Sequence, residues 1–294
     1  MKKHIASILF LFLLSTFQLI AQSHSVKRLG IEQGLSNNYV VSITQDKQGF
    51  LWFATEEGLN KFDGTRFTTY YKNDLTQDNQ GITGNELNRV YADTKHPIIW
   101  IATQRDGLNA YNYNEQTFTA YQHNPENPHS LITNDVTDIA PSTQHDDGLW
   151  ISTYYRGIEY LDITSGQFTH YNKSTVPSLP CDQTWTVLDG GDGNLYIGHV
   201  GSGFSIFSPK DKSVKNFRNE AGNPMSLPGN DVFCIIKDAN GNIWLGTNNG
   251  LALYDAANEN FITFKNNKND KYATLCSRIL SIRQLKDNRL WIAS

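Results

Sequence analysis

The chain has 294 residues, 39% of them hydrophobic, 12% aromatic and 18% charged, with 25 Lys and Arg against 29 Asp and Glu. A mildly acidic chain with no Lys/Arg cluster is poorly matched to phosphate backbones, which argues against a nucleic-acid partner. Three cysteines, Cys181, Cys234 and Cys276, are too few and too scattered for a disulfide framework or a zinc site.

The first residues read as an export signal. Lys2, Lys3 and His4 precede an apolar run from Ile5 to Ile20, and Ala21-Gln22 offers a small residue for cleavage. The run falls short of the ~20 residues that span a bilayer comfortably. Residues 1–21 are therefore expected to be a signal peptide and residues 22–294 an exported, periplasmic domain. Cleavage would leave 23 basic and 29 acidic side chains, a net charge of −6.

Beyond the signal a tryptophan-centred motif recurs. Trp52, Trp100, Trp150, Tyr196, Trp244 and Trp291 are spaced by 48, 50, 46, 48 and 47 residues, a period that fixes architecture before any local motif does. Each unit holds four strand signals. The first, A, is an Asn-x-Val-x-x-Ile run, as in Asn38/Val40/Ile43 and Asn230/Val232/Ile235. A turn with Asp and Gly follows (Asp46 to Gly49, Asp238 to Gly241), and then strand B, the Trp run. Gly58, Gly107, Gly157, Gly203 and Gly250 mark the reversal into strand C. Strand D carries paired aromatics: Phe67/Tyr70, Phe118/Tyr121, Phe168/Tyr171 and Phe261/Phe264.

Four short strands joined by tight turns make an antiparallel meander. Strands A and B read as apolar on both faces, so each sheet must lie between other sheets. Twisted four-stranded sheets stacked around an axis form a propeller. The fold class is therefore all-β, a β-propeller of four-stranded antiparallel blades. Five repeats are complete, near 34–70, 84–121, 130–171, 178–217 and 226–264, and a sixth starts near 277–294. With a blade face left unmatched, on the order of 10 kcal/mol of apolar burial would be missing, so these residues alone are expected to form an open, aggregation-prone arc.

The repeat resembles the two-component regulator propeller. Asn223-Pro224-Met225-Ser226-Leu227, Asn230-Asp231-Val232, Asp238 to Gly241, Ile243-Trp244-Leu245-Gly246-Thr247 and Gly250-Leu251-Ala252-Leu253-Tyr254-Asp255 follow that family's pattern closely. So does the opening, Gly34-Leu35-Ser36-Asn37-Asn38 through Gly58-Leu59-Asn60-Lys61-Phe62-Asp63-Gly64. The resemblance implies part of a seven-bladed propeller, the periplasmic sensor region of a Bacteroides-type hybrid histidine kinase. It implies a membrane-anchored parent, open to homodimerisation as a full-length receptor, and an oligosaccharide ligand that controls polysaccharide-utilisation genes. The chain would then be a sensor fragment without its kinase.

Departures from the repeat mark where a regular scaffold has been altered. The fourth unit has Tyr196 for Trp, His199 for Thr and Asp182 for Asn. The third has an enlarged A–B turn, Pro141 to Gly148, and the second a longer B–C turn, Gln104-Arg105-Asp106.

No Gly-x-Ser-x-Gly elbow, phosphate-binding Gly-x-x-x-x-Gly-Lys loop or His-Glu-x-x-His motif is present, so no catalytic residue, metal ligand or cofactor is assigned. The repeated Asp and Gly fit turns. Recognition is the better reading, because the loops before strand A and between B and C lie at one end of a propeller. Aromatic faces stack on sugar rings, and Arg or carboxylate forks satisfy hydroxyl or acidic groups. The candidate ligand-binding residues are Tyr154, Tyr155 and Arg156, then Arg105, His199, Asn248 and Glu56. Trp185 is a further aromatic, axial or in the core. The alternative functions are a secreted propeller lyase or glycosidase, and a protein–protein interaction propeller.

Overall fold

A computed structural model describes residues 28–73, 81–264 and 278–294. The signal-peptide assignment, Cys276 and the first residue of the sixth repeat lie outside them. One short 3-10 turn, Ile31–Gln33, precedes an otherwise all-β architecture. No helix among the described residues is long and apolar enough to cross a membrane.

The strands group as the period predicts. Blade 1 holds β1 (Val40–Gln45), β2 (Leu51–Thr55), β3 (Gly58–Phe62) and β4 (Phe67–Tyr70), and blade 2 holds β5 (Leu87–Ala92), β6 (Ile98–Thr103), β7 (Leu108–Asn112) and β8 (Thr117–Tyr121). Blade 3 comprises β9 (Val136–Pro141), β10 (Gly148–Thr153), β11 (Gly157–Asp162) and β12 (Gln167–Tyr171). Blade 4 comprises β13 (Thr184–Asp189), β14 (Leu195–His199), β15 (Phe204–Ser208) and β16 (Ser213–Phe217). Blade 5 is β17 (Val232–Lys237), β18 (Ile243–Thr247), β19 (Gly250–Asp255) and β20 (Asn260–Phe264), and a two-stranded sixth sheet pairs β21 (Ser281–Gln284) with β22 (Leu290–Ala293). Every blade is an antiparallel meander in chain order, and the first strands contact one another in series, β1 with β5, β9, β13, β17 and β21. These first strands line the axis.

The repeat's residues each have a mechanical role. In blade 1 the Asp46 carboxylate accepts the amides of Gln48 and Phe50 and, at 2.7 Å, the indole N–H of Trp52, which is fully buried. Asp93 serves Trp100 and Asp238 serves Trp244 in the same way. Thus Asp closes the A–B turn and satisfies the one polar atom of the indole, which lets the ring be buried without an orphaned donor. The Asn that opens strand A joins blades. Asn85, Asn134 and Asn230 accept on Oδ1 the backbone amide of Lys72, His123 or Asn219 just after the preceding blade's last strand. Their carbonyls take the amides of Gly58, Gly107 and Gly203. Asp182, in the fourth repeat, keeps both contacts, to Lys173 and Gly157.

Those glycines cannot carry a side chain. Gly203 has φ +80°, and a Cβ there would collide with the Phe217 carbonyl oxygen. Gly203→Ala is expected to lower the unfolding free energy by about 1–3 kcal/mol in urea titration, whereas Gly222→Ala, also at positive φ but with open space around it, stays near 1 kcal/mol.

Strand A packs against neighbouring sheets on both faces, as its sequence predicts. Leu87, Val136 and Val232 face one side, while Tyr91, Ala140, Leu188 and Ile236 on the other side join the clusters built with the next sheet. Ser42, Arg89, Asp138, Thr186 and Cys234 share that second side nearer the bulge, where Arg89 Nε lies 2.9 Å from Asp138 Oδ1. Strand A is also irregular, because its pairing with strand B slips between Val40 and Ser42, Leu87 and Arg89, Thr184 and Thr186, and Val232 and Cys234. Blade 3 slips at the same place, skipping Thr137. Each blade carries one β-bulge at the same repeat position.

At either end of the row of blades apolar side chains stay in solvent. Tyr39 and Ile43 are 59% and 53% exposed in blade 1, and Trp291 is 65% exposed in the sixth sheet.

A candidate ligand cleft at the mouth of the axial channel

A bulge leaves one residue unpaired and re-aims its side chain. The bulged residues are Val41, Asn88, Thr137, Trp185 and Phe233. Asn88 and Thr137 use their polar ends on the next blade, donating to the carbonyls of Val136 (2.8 Å) and Thr184 (3.4 Å). Trp185 and Phe233 are too large and apolar for that role, and both stand half-exposed at the mouth of the channel.

Around them lies a cleft of about 360 Å³ lined by Tyr154, Trp185, Val200, Asp231, Phe233, Asn248 and Arg278. The lining follows from the repeat. Tyr154, Val200 and Asn248 are equivalent residues, each first after strand B and each donating its amide across the bulge to Asp135, Gln183 or Asp231. The aromatics form a row of edge-on contacts. Tyr155 and Tyr154 lie 4.3 Å apart, Tyr154 and Trp185 6.0 Å, and Trp185 and Phe233 6.2 Å, with the Arg278 guanidinium 4.7 Å over Phe233. At the polar end Asp231 accepts the Gly201 amide at 2.7 Å and the Asn248 side-chain amide at 3.0 Å. The same repeat positions in blades 1 and 2 hold Tyr39, Val41 and Glu56, and Glu86, Asn88 and Gln104, so among the described residues the bulge position itself is aromatic in blades 4 and 5 alone.

The structure sorts the sequence candidates. Tyr154 and Asn248 line the cleft, and Tyr155 extends its aromatic row. Arg156 and Arg105 are exposed on neighbouring turns, outside the lining, and Arg105 lies close enough to Asp135 to act on its carboxyl. Glu56 holds the equivalent place in blade 1, away from the cleft. His199 is a correction. It is fully buried, with Nε2 2.8 Å from Ser205 Oγ and Nδ1 3.5 Å from Cys181 Sγ, and burial pushes it down to about 4. It replaces the buried threonine that elsewhere bonds the B–C glycine carbonyl (Thr55, Thr103, Thr153 and Thr247). Its imidazole therefore fills the blade and lies outside the cleft lining. Sequence reasoning left Trp185 between axis and core and passed over Phe233, Asp231, Val200 and Arg278. The signal for the two rings was their shared place one residue after the Val of Asn-x-Val or its equivalent.

Two other departures compensate each other. The enlarged turn of blade 3 has no aspartate in place for Trp150, whose indole instead donates at 3.2 Å to Asp189 of blade 4. Asp189 is free to accept it because Tyr196, standing where Trp does elsewhere, reaches Asp192 with its hydroxyl at 2.9 Å. Among the described residues no group of three or more His, Cys, Asp or Glu could hold a metal ion.

The comparisons agree with this architecture. The family model described as two component regulator propeller matches residues 34–57 and 226–249. The extracellular domain of a hybrid two-component system from B. thetaiotaomicron is 64% identical, with TM-score 0.81 over 91% of this chain and 34% of that one. A second extracellular domain from the same organism, of a one-component system, shares the fold at 21% identity and TM-score 0.71, over 92% of this chain and 36% of that one. A segment of 66 residues, 22% of this chain and 5% of the relative, is 42% identical to Histidine kinase P4 of Formosa agariphila. The chain thus spans about a third of the length of these two extracellular domains. Two of its repeats, at residues 34–57 and 226–249, match the two component regulator propeller model, and its blades are arranged as in the similar extracellular domain of the B. thetaiotaomicron hybrid two-component system.

Proposed function

We infer that the chain is the ligand-sensing part of a periplasmic receptor of the hybrid histidine-kinase class, and that the cleft at the channel mouth takes an oligosaccharide. The observation that carries this reading is the use of the bulge. At this unpaired position two adjacent blades carry the rings of Trp185 and Phe233 in place of a small or polar residue, and Tyr154 and Tyr155 continue the row. Half-exposed aromatic rings with the Asp231 carboxylate and the Asn248 amide at one end suit a partner with apolar faces and hydroxyl edges. The similarity to extracellular domains of two-component systems supports the periplasmic placement and the signalling role. Calorimetric titration with pectic, hemicellulosic, host-derived and fructan oligosaccharides tests the reading. Saturable binding of one class is expected, and silence across all four would overturn it.

A further inference from the structure

Strands C and D of each blade, the outer strands, face each other through a pair of side chains close to the B–C turn. These pairs are Asn60/Thr69, Asn109/Ala120, Glu159/His170, Ser205/Asn216 and Ala252/Thr263. Only blade 3 places ionisable groups there. In blades 1 and 2 the residue on strand C holds the loop that leads into strand A, since Asn60 Oδ1 accepts the Ser36 amide at 3.0 Å and Asn109 Oδ1 accepts the Thr83 amide at 3.1 Å. In blade 3 the fully buried Glu159 carboxylate takes over, accepting the Ile132 amide at 3.2 and 3.1 Å.

The proton inventory of this pair is forced by its partners. His170 Nε2 lies 3.0 Å from the Pro128 carbonyl oxygen, which can only accept, so Nε2 carries hydrogen. His170 Nδ1 lies 2.9 Å from Glu159 Oε2. A hydrogen must lie between them as well, or a ring lone pair would face a buried carboxylate. The pair therefore holds one proton more than a neutral histidine beside a carboxylate.

We propose that Glu159 and His170 form a proton-locked strut that positions the connection between blades 2 and 3, and through it Tyr154 at the cleft. The strut grips this connection at Pro128 and Ile132. Three residues further on, the Asp135 carbonyl receives the Tyr154 amide at 3.1 Å. Once the proton is lost the neutral ring keeps a single N–H, so a bare lone pair faces either Glu159 Oε2 or the Pro128 oxygen, and the grip on the connection opens on that side, loosening Ile132. Burial pushes the Glu159 carboxyl up, and the Glu159 hydrogen bond pushes His170 up. Both shifts have one sign, because each makes the folded chain hold the proton to higher pH than the unfolded one. The strut is complete below the ordinary histidine range and is lost as pH rises through the raised value. A further titratable group acting on Glu159 is His123, on the connection itself, whose Nδ1 lies 2.8 Å from the Leu131 carbonyl oxygen.

Hydrogen exchange on the whole chain at about pH 6 and about pH 9, corrected for intrinsic rates, tests the strut. The internal standards are Ser36 and Thr83, whose amides do the same job on neutral partners. Protection of Ile132 relative to both is expected to fall about tenfold or more at the higher pH. The double variant Glu159→Asn with His170→Thr, which installs the pair of blade 1, is expected to abolish that difference while keeping His123. Parallel protection of the three amides in the unaltered chain would overturn the proposal, as would a variant that keeps the pH response. Should the variant fail to fold, the unaltered chain still decides. The effect on the cleft rests on the function proposed above, but this readout uses no ligand. A strut without binding and binding without a strut are separate results.

Discussion

Trp100→Ala is expected to lower the unfolding free energy by about 3–5 kcal/mol. The indole is fully buried between blades, in a cluster with Ala102, Leu131, Val136, Leu149 and Phe168, so its loss opens a cavity that two blades share. The Asp93 carboxylate also loses the indole N–H at 3.1 Å while still bound to the amides of Lys95 and His96. Trp291→Ala removes the same residue type at the same repeat position, but its side chain is 65% exposed. Its cost should stay within about 0.5 kcal/mol. Urea unfolding of both variants separates burial from residue identity. Equal losses would contradict the packing described here.

Trp185→Val and Phe233→Val are expected to weaken oligosaccharide binding on the order of tenfold each, about 1.4 kcal/mol, read by calorimetry. Valine is the residue that blade 1 carries at this bulge, so backbone and channel are preserved. Both rings are half-exposed, and thermal stability should change little. The two rings lie 6.2 Å apart, so the double variant need not show the product of the single losses. Unchanged affinity in both single variants would remove the aromatic row from the site.

Much of this fold was legible because a sheet cannot hide apolar strands without neighbours, and the period of Trp52, Trp100, Trp150, Tyr196, Trp244 and Trp291 recorded those neighbours six times. The Asn-to-glycine bonds were not legible as bonds, only as repeated residues, because they run between blades distant in sequence; the Asp-to-Trp bonds span six or seven residues but depend on how the A–B turn folds the carboxylate back onto the ring. The bulge was hidden for a related reason. It changes register, not composition, so Trp185 and Phe233 read as ordinary strand residues until pairing is known. Departures from the repeat misled in one respect. His199 and the Asp189–Asp192 rearrangement are internal repairs, whereas the cleft is built at positions where the repeat tolerates any side chain. Tyr154, Tyr155 and Asn248 stood out in the sequence because a tight turn has no need of their bulk or amide, and that argument reaches only residues at the surface.

The most direct measurement is a crystal structure of the chain with the oligosaccharide class that binds it. The account predicts sugar rings against Trp185 and Phe233, with hydroxyl groups reaching Asp231 and Asn248. Sugar bound on the outer strands, or at the opposite end of the channel with the aromatic row empty, would contradict it.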